Sequence, residues 1–185
     1  MAGQLAAFIL GLLGWRTVYV PPPGPKSVVI VYPHTSNWDF PLGVLFRARY
    51  RMTASWAGKD TLFRWPLKAL FLRLGGVPIN RREHTGMVDQ LVTAFATHDK
   101  FCLCIAPEGT RSKSGHWKTG FYRLAQTVGV PVGLGFIDYG SKRMGIDRWI
   151  RLSGNEENDL AMVRMFYADK AGRHPEKSGD IRFRS

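Results

Sequence analysis

The chain has 185 residues, which is enough for one domain with a hydrophobic core. Its hydrophobic content of 45% excludes a wholly disordered protein. The net charge of +12 and the pI near 10.2 predict anionic partners, which fall into three classes: nucleic acid, an anionic membrane surface, or an acidic carrier protein.

The first 20 residues are the most membrane-like part of the chain. Residues 5–15 are almost entirely apolar, yet this stretch is shorter than the roughly 20 residues that span a bilayer. We therefore predict an apolar interfacial helix over residues 1–20, with packing of that helix on the domain as the alternative. Residues 21–26 are rich in proline and are predicted to form a stiff link.

From residue 27 onward, strand and helix patterns alternate. Predicted strands cover residues 28–32, 54–57, 77–80, 101–106 and 130–136, and predicted helices cover residues 40–52, 61–74, 85–99, 116–128 and 156–168. This alternation predicts an α/β fold, with a single domain over residues 27–169 whose largely parallel central sheet is flanked by helices. The basic tail, residues 170–185, is predicted to be mobile.

A histidine and an aspartate five residues apart follow the first predicted strand of this domain. Five residues turn a helix by a net angle of roughly 140°, so His34 and Asp39 cannot share one helix face. They can meet if His34 lies on the turn after the strand and Asp39 lies in the first turn of the next helix. Asp39 would then orient the ring and leave one nitrogen as a base, although structural capping is the alternative.

A second polar loop, Glu108-Gly109-Thr110-Arg111, follows the predicted strand at residues 101–106. The carboxyl ends of parallel strands meet at one edge of a sheet, where ligands bind. We therefore expect this loop and His34 to face the same crevice. An ion pair between Glu108 and Arg111 that only braces the loop is the alternative reading.

Several motifs occur in a fixed order along the chain: His34-x4-Asp39, Gly58-Lys59-Asp60, Gly75-Gly76-Val77-Pro78-Ile79-Asn80-Arg81, Pro107-Glu108-Gly109-Thr110-Arg111-Ser112 and Val130-Pro131-Val132. Together they resemble the glycerolipid acyltransferase family, which includes 1-acyl-glycerol-3-phosphate acyltransferases. The resemblance covers roughly residues 27–137. It implies transfer of a fatty acyl group from acyl-CoA or acyl carrier protein to the hydroxyl of a lysolipid.

The resemblance also implies roles for individual residues. His34 would be the general base and Asp39 would orient it. Substrate binding would fall to the loop residues Glu108, Gly109, Thr110 and Arg111, and to Arg81 as the partner of an anionic headgroup. Lys59 is a further candidate for that headgroup because of its charge, with a solvated surface lysine as the alternative. Neither a cofactor nor a metal ion is implied. The chemistry needs no enzyme nucleophile, in keeping with a sequence that contains no Gly-x-Ser-x-Gly motif.

The acceptor stays open at this point, because Pro78 stands where the family usually has phenylalanine. Lysophosphatidic acid and other lysolipids or alcohols are the alternatives.

A basic face formed by Arg47, Arg51, Arg64, Lys68 and Arg73 would suit an anionic membrane surface or an acyl carrier protein. Both thioester donors are cytosolic, so we expect the protein at the cytoplasmic face of a membrane, bound peripherally or inserted shallowly. Hydrolysis of the thioester by water is another alternative, and nucleic-acid binding is a remote one that we do not expect, because no known module is recognisable.

Overall fold

The structure, a computed structural model, describes residues 1–79 and 86–184. Within these ranges seven strands form one sheet in the order β1-β7-β6-β2-β5-β3-β4. Neighbouring strands run parallel except for the β6–β7 pair, which is antiparallel. The strands are β1 (Arg16–Tyr19), β2 (Lys26–Val31), β3 (Ala54–Lys59), β4 (Gly76–Ile79), β5 (Phe101–Ile105), β6 (Val132–Asp138) and β7 (Arg143–Ile150).

Helices cover both faces of this sheet, as expected where the strands are connected by parallel crossovers. They are α1 (Ala2–Leu12), α2 (Asp39–Tyr50), α3 (Lys68–Arg73), α4 (Met87–Thr97), α5 (Gly120–Val128) and α6 (Glu156–Tyr167). The predicted α/β fold with a largely parallel sheet is therefore confirmed. Within the two described ranges, no helix combines the length and the apolar character needed to cross a membrane.

The two faces of the sheet bury separate hydrophobic clusters, because alternate residues of each strand point to opposite sides. On one face, Val29 of β2 packs with Leu42 and Phe46 of α2 and with Leu10 of α1. The other face is covered by α4, α5 and α6, whose buried side chains are Leu91, Phe95, Phe121, Leu124, Val163 and Tyr167. The carboxyl ends of β2 and β5 therefore lie at the edge of a sheet that is packed on both faces.

The N-terminal helix is shorter than predicted, since residues 16–19 form β1 and pair with β7 rather than extending the helix. The helix ends at a turn where Gly14 has φ of +76°, a conformation that side chains with a Cβ disfavour. Ala6 and Leu10 are buried on one side of α1, whereas Leu5 and Phe8 remain exposed on the other. The helix therefore packs on the domain with one face, and its predicted position in a membrane interface stays a prediction.

The helix predicted over residues 61–74 is wrong in its first half. A 3₁₀ turn covers Asp60–Leu62, and regular helix begins only at Lys68. Pro66 explains the difference, because its ring and its missing N–H oppose a continuous helix through this position. Residues 63–67 therefore form an irregular loop between the 3₁₀ turn and α3.

The tail is packed on the domain, contrary to the prediction that it is mobile. The Tyr139 amide donates to the Ala171 carbonyl at 2.8 Å, and the Trp117 amide donates to the Arg182 carbonyl at 2.7 Å. Phe183 also contacts the rings of Phe121 and Tyr122 in the core. Backbone bonds and buried aromatic contacts outweigh the polar composition on which the prediction rested. The division of the chain at residues 20, 26 and 169 stays a prediction.

Candidate active site

The turn between β2 and α2 brings His34 and Asp39 together. The His34 Nδ1 atom lies 3.0 Å from the Asp39 Oδ2 atom. Asp39 is the first residue of α2, where the helix dipole favours a carboxylate. The geometry anticipated from the spacing is therefore present, with the histidine on the turn and the aspartate in the first helical turn.

Asp39 is held from several sides, because its side chain is almost fully buried and hydrogen-bonded. Its Oδ2 atom accepts from the Ser36 amide at 3.0 Å, and its Oδ1 atom accepts from the Tyr139 hydroxyl at 2.8 Å. A carboxylate only accepts hydrogen bonds, so His34 Nδ1 carries the proton in this contact. The other ring nitrogen, Nε2, is then left with a free lone pair, as a general base requires.

Tyr139 is a site residue that the sequence reasoning missed. It directly follows β6, and β6 lies beside β2 in the sheet, so both strands end at the same edge. Burial, and then the hydrogen bond to Asp39, raise the pKa of the Tyr139 phenol above its ordinary value, so it stays a donor at neutral pH. The sequence does show that Tyr139 follows a predicted strand. It does not show that this strand lies beside β2, and without that neighbour Tyr139 cannot be assigned to the site.

Glu108 lies directly behind His34 and is fully buried, with 1% exposure. Its Oε2 atom accepts from the His34 amide at 2.8 Å, and its Oε1 atom accepts from the Gly179 amide at 2.8 Å. Burial raises the pKa of this carboxyl, which the two backbone bonds partly oppose. Glu108 thus braces the His34 turn through backbone donors, while Arg111 is exposed. The predicted role of Glu108 in substrate binding stays a prediction.

The rest of the second loop lies at the surface beside the histidine. Gly109 has φ of +65°, and a Cβ there would come within 2.8 Å of the Lys118 Cε atom. The backbone angle favours glycine at this position, whereas the Lys118 side chain is flexible and can move away from an added Cβ. Thr110 and Arg111 are exposed next to it, with the Thr110 hydroxyl accepting from the Ser112 amide.

A cavity of about 650 Å³ opens at this edge and extends between α2 and the sheet. This volume falls in the range of roughly 300–1,000 Å³ that is typical of ligand pockets. His34, Lys59, Gly109, Thr110, Arg111 and Lys118 line the cavity among its polar residues. The apolar wall includes Val29, Val31, Phe40, Val44, Cys104 and Ile137. One space therefore offers a histidine, a hydrophobic wall and four cations, namely Arg47, Lys59, Arg111 and Lys118.

Arg81, the predicted partner of an anionic headgroup, lies outside the described residues. Pro78, the departure from the family pattern, is exposed on β4, which is the edge strand of the sheet. An edge strand tolerates proline, because the missing N–H faces away from a partner strand. Neither observation tests the predicted acceptor.

Among residues 1–79 and 86–184, no group of three or more His, Cys, Asp or Glu side chains is arranged to hold a metal ion. Cys102 and Cys104 are both free thiols on β5, on the side of the sheet that faces α2. Cys104 contributes to the cavity wall.

Comparison with known proteins supports the assignment that the motifs suggested. No curated protein matched the chain. The sequence does match the profile of the Acyltransferase family over residues 18–133, which is more than half of its length. That range contains the His34–Asp39 pair, Lys59 and the Glu108–Arg111 loop. The chain therefore belongs to the acyltransferase family, whose members transfer an acyl group to a lipid acceptor.

Proposed function

We propose that this protein transfers a fatty acyl group from acyl-CoA or acyl carrier protein to the hydroxyl of a lysolipid, with 1-acyl-glycerol-3-phosphate as the acceptor and phosphatidic acid as the product. The observation that carries the proposal is the His34–Asp39 contact of 3.0 Å at the wall of a cavity of about 650 Å³. That cavity is lined mainly by apolar side chains, as a fatty acyl substrate requires.

In this proposal His34 acts as the general base. Its Nε2 atom takes the proton of the acceptor hydroxyl while the hydroxyl oxygen attacks the thioester carbonyl. The tetrahedral intermediate then collapses, the carbon–sulfur bond breaks, and the departing thiolate recovers the proton from His34. A positioned base of this kind contributes about 10²–10⁴ in rate. Asp39 keeps the ring in the required tautomer and stabilises the imidazolium.

Charged residues at the cavity support an anionic acceptor. Lys59, Arg111 and Lys118 all line it, and arginine and lysine are the side chains best suited to phosphate. Arg81 keeps the role that the family resemblance implies. The proposal assigns the headgroup phosphate to this group of cations and the acyl chain to the wall that includes Val31, Phe40 and Val44.

The proposed location is the cytoplasmic face of a membrane, with the protein bound peripherally or inserted shallowly. Both thioester donors are cytosolic, and the acceptor is a lipid. The net charge of +12 supports binding to an anionic membrane surface.

The test is acyl transfer from radiolabelled acyl thioesters to a panel of lysolipids with and without phosphate. His34→Ala should abolish transfer and leave thermal unfolding nearly unchanged. His98→Ala is the matched control, because His98 is an exposed histidine at the end of α4, outside the cavity lining. Transfer by the His34 variant would refute the assignment of the base. Transfer only to phosphate-free acceptors would refute the acceptor, and release of free fatty acid alone would point to hydrolysis.

A further inference from the structure

The irregular loop and short helix between β3 and β4 expose an unusual number of large apolar side chains. Trp65 is 91% exposed, and Leu62, Leu67, Leu70 and Leu72 are each about half exposed, at 45–50%. Scattered exposed leucines are ordinary, but five large apolar residues within eleven positions form a concentration of the kind that indicates an interaction surface. We call residues 62–73 the apolar-basic segment.

The exposed residues of this segment are not the ones that attach it to the domain. Phe63 is 7% exposed and stacks on Trp56 at 5.6 Å between ring centroids. Phe71 meets the same Trp56 ring edge-on at 5.7 Å and also contacts Phe40 at 6.1 Å. These aromatic contacts hold the segment in place, so the outward side chains are free to bind a partner.

The charge of the segment identifies the partner. Arg64, Lys68 and Arg73 are all exposed among the apolar side chains, and residues 62–73 contain no acidic residue. Indole rings favour the headgroup layer of a bilayer, and leucines favour the boundary below it. Nearby lysines and arginines add electrostatic attraction to an anionic surface. An acidic carrier protein would pair with the cations but would leave the indole and leucines unexplained.

The segment also adjoins the cavity. Leu62 at its start, Lys59 shortly before it and Leu74 just beyond its end all line the cavity wall. The exposed side of α1, which includes Leu5, Phe8 and Leu12, lies on the same face of the sheet, because α1 packs on α2. An apolar surface at the cavity and a second one on the same face suit a protein that meets its substrates in a bilayer.

We propose that the apolar-basic segment docks on a membrane containing anionic lipid, with Trp65, Leu67 and Leu70 inserted among the headgroups, and that lipid substrate reaches the cavity past Leu62. This inference rests on the proposed function in one respect, namely that the substrate is a lipid. Docking itself involves residues outside the cavity lining, so it is measured separately from catalysis.

The experiment is sedimentation of the full-length protein with vesicles of equal parts phosphatidylcholine and phosphatidylglycerol. The double variant Trp65→Ser/Leu70→Ser should bind these vesicles more weakly by on the order of tenfold or more, since both inserted apolar side chains lose their burial in the bilayer. Met165→Ser is the matched control, because Met165 is 73% exposed on α6, which covers the opposite face of the sheet. It should bind like the unmodified protein.

The contribution of charge is tested by comparing Arg64→Glu/Lys68→Glu with Arg123→Glu. Arg123 is an exposed arginine on α5, at the opposite face of the sheet. The first should lose vesicle binding and the second should keep most of it. Vesicle binding that survives both segment variants would overturn the proposal. Loss of binding to acyl carrier protein with unchanged vesicle binding would overturn it as well, in favour of a carrier-docking surface.

His34→Ala separates this proposal from the proposed function. It should bind vesicles like the unmodified protein, because His34 lies outside the apolar-basic segment. If no acyl transfer is found for any acceptor while the segment variants still lose vesicle binding, the docking proposal stands and the transferase proposal fails. If transfer is found and the segment variants bind vesicles normally, the transferase proposal stands and the docking proposal fails.

Discussion

The Tyr139 hydroxyl donates a hydrogen bond of 2.8 Å to the Oδ1 atom of Asp39, a residue 100 positions earlier in the chain. The same tyrosine ring meets Trp15 edge-on, with 5.0 Å between the ring centroids. Asp39 therefore connects His34 on one side to a tyrosine fixed by the N-terminal part of the chain on the other. A carboxylate held by two donors besides the histidine cannot rotate away from the ring.

Tyr139→Phe should lower the turnover rate about tenfold or more, because a hydrogen bond to a charged group contributes about 1.5–3 kcal/mol. The KM for the acceptor should change little, since the phenol contacts Asp39 rather than substrate. Tyr122→Phe is the matched control, because the Tyr122 hydroxyl bonds to Asp159 at 2.7 Å in a buried pair on α5 and α6. Equal losses of activity in both variants would contradict a positioning role for Tyr139.

Glu108 should make the stability of the protein depend on pH in a defined direction. Burial raises its pKa in the folded state above the value of about 4.3 in the unfolded chain. Between these two pKa values the folded protein binds more protons than the unfolded one, so the free energy of unfolding falls as pH rises through that window.

Glu108→Gln removes this titration. The amide accepts from only one of the two backbone donors, His34 or Gly179, which adds a loss that does not vary with pH. The unfolding free energy of the unmodified protein minus that of the variant should therefore decline from acidic pH upward and then level off. Urea denaturation at a series of pH values measures it. A difference that stays constant or rises with pH would show that the folded pKa is not raised.

Gly43 offers a way to change the length of the cavity. It lies on α2 and lines the cavity, and a Cβ built there meets no atom within 4 Å among its non-local neighbours. Gly43→Leu should therefore begin its side chain in open space, shorten the cavity and shift the preference toward shorter acyl chains. The measurement is competition between acyl thioesters of different length.

Gly11→Leu is the control for Gly43→Leu. Gly11 also lies in a helix with nothing within 4 Å of its Cβ position, but it is outside the cavity lining. Both substitutions remove a helical glycine and should stabilise the helix by up to about 1 kcal/mol. Only Gly43→Leu should alter chain selectivity, and an unchanged selectivity would mean that the acyl chain lies elsewhere.

Gly172→Ala should disturb the site through the tail. A Cβ at Gly172 would come within 2.5 Å of the Thr35 Oγ1 atom, which accepts a hydrogen bond from the His174 amide at 3.1 Å. The clash should lower the unfolding free energy by about 1–3 kcal/mol and reduce activity, because Thr35 adjoins His34. Gly24→Ala, where the added Cβ has open space, should change neither quantity. Normal thermal unfolding and activity of the Gly172 variant would contradict a packed tail.

The predictions made from sequence succeeded where the signal was local. Apolar runs with strand or helix periodicity lie close together in the chain, and they indicated the β2–α2 unit correctly. The spacing between His34 and Asp39 was sufficient to predict their contact, because only one short turn separates them. The same reasoning failed over residues 61–74, because Pro66 interrupts the helix that the surrounding leucines indicate.

The sequence by itself determined the family, through several short motifs in a fixed order, and it determined the strand–helix alternation and the contact between His34 and Asp39, which depend on residues close together in the chain. The tertiary structure alone decided which distant groups hold that pair. Tyr139 reaches Asp39 across 100 residues, and Gly179 reaches Glu108 across 71. The physical reason is the strand order β7-β6-β2-β5, which places the end of β6 beside the end of β2. Periodicity within one element carries no information about which strand becomes its neighbour.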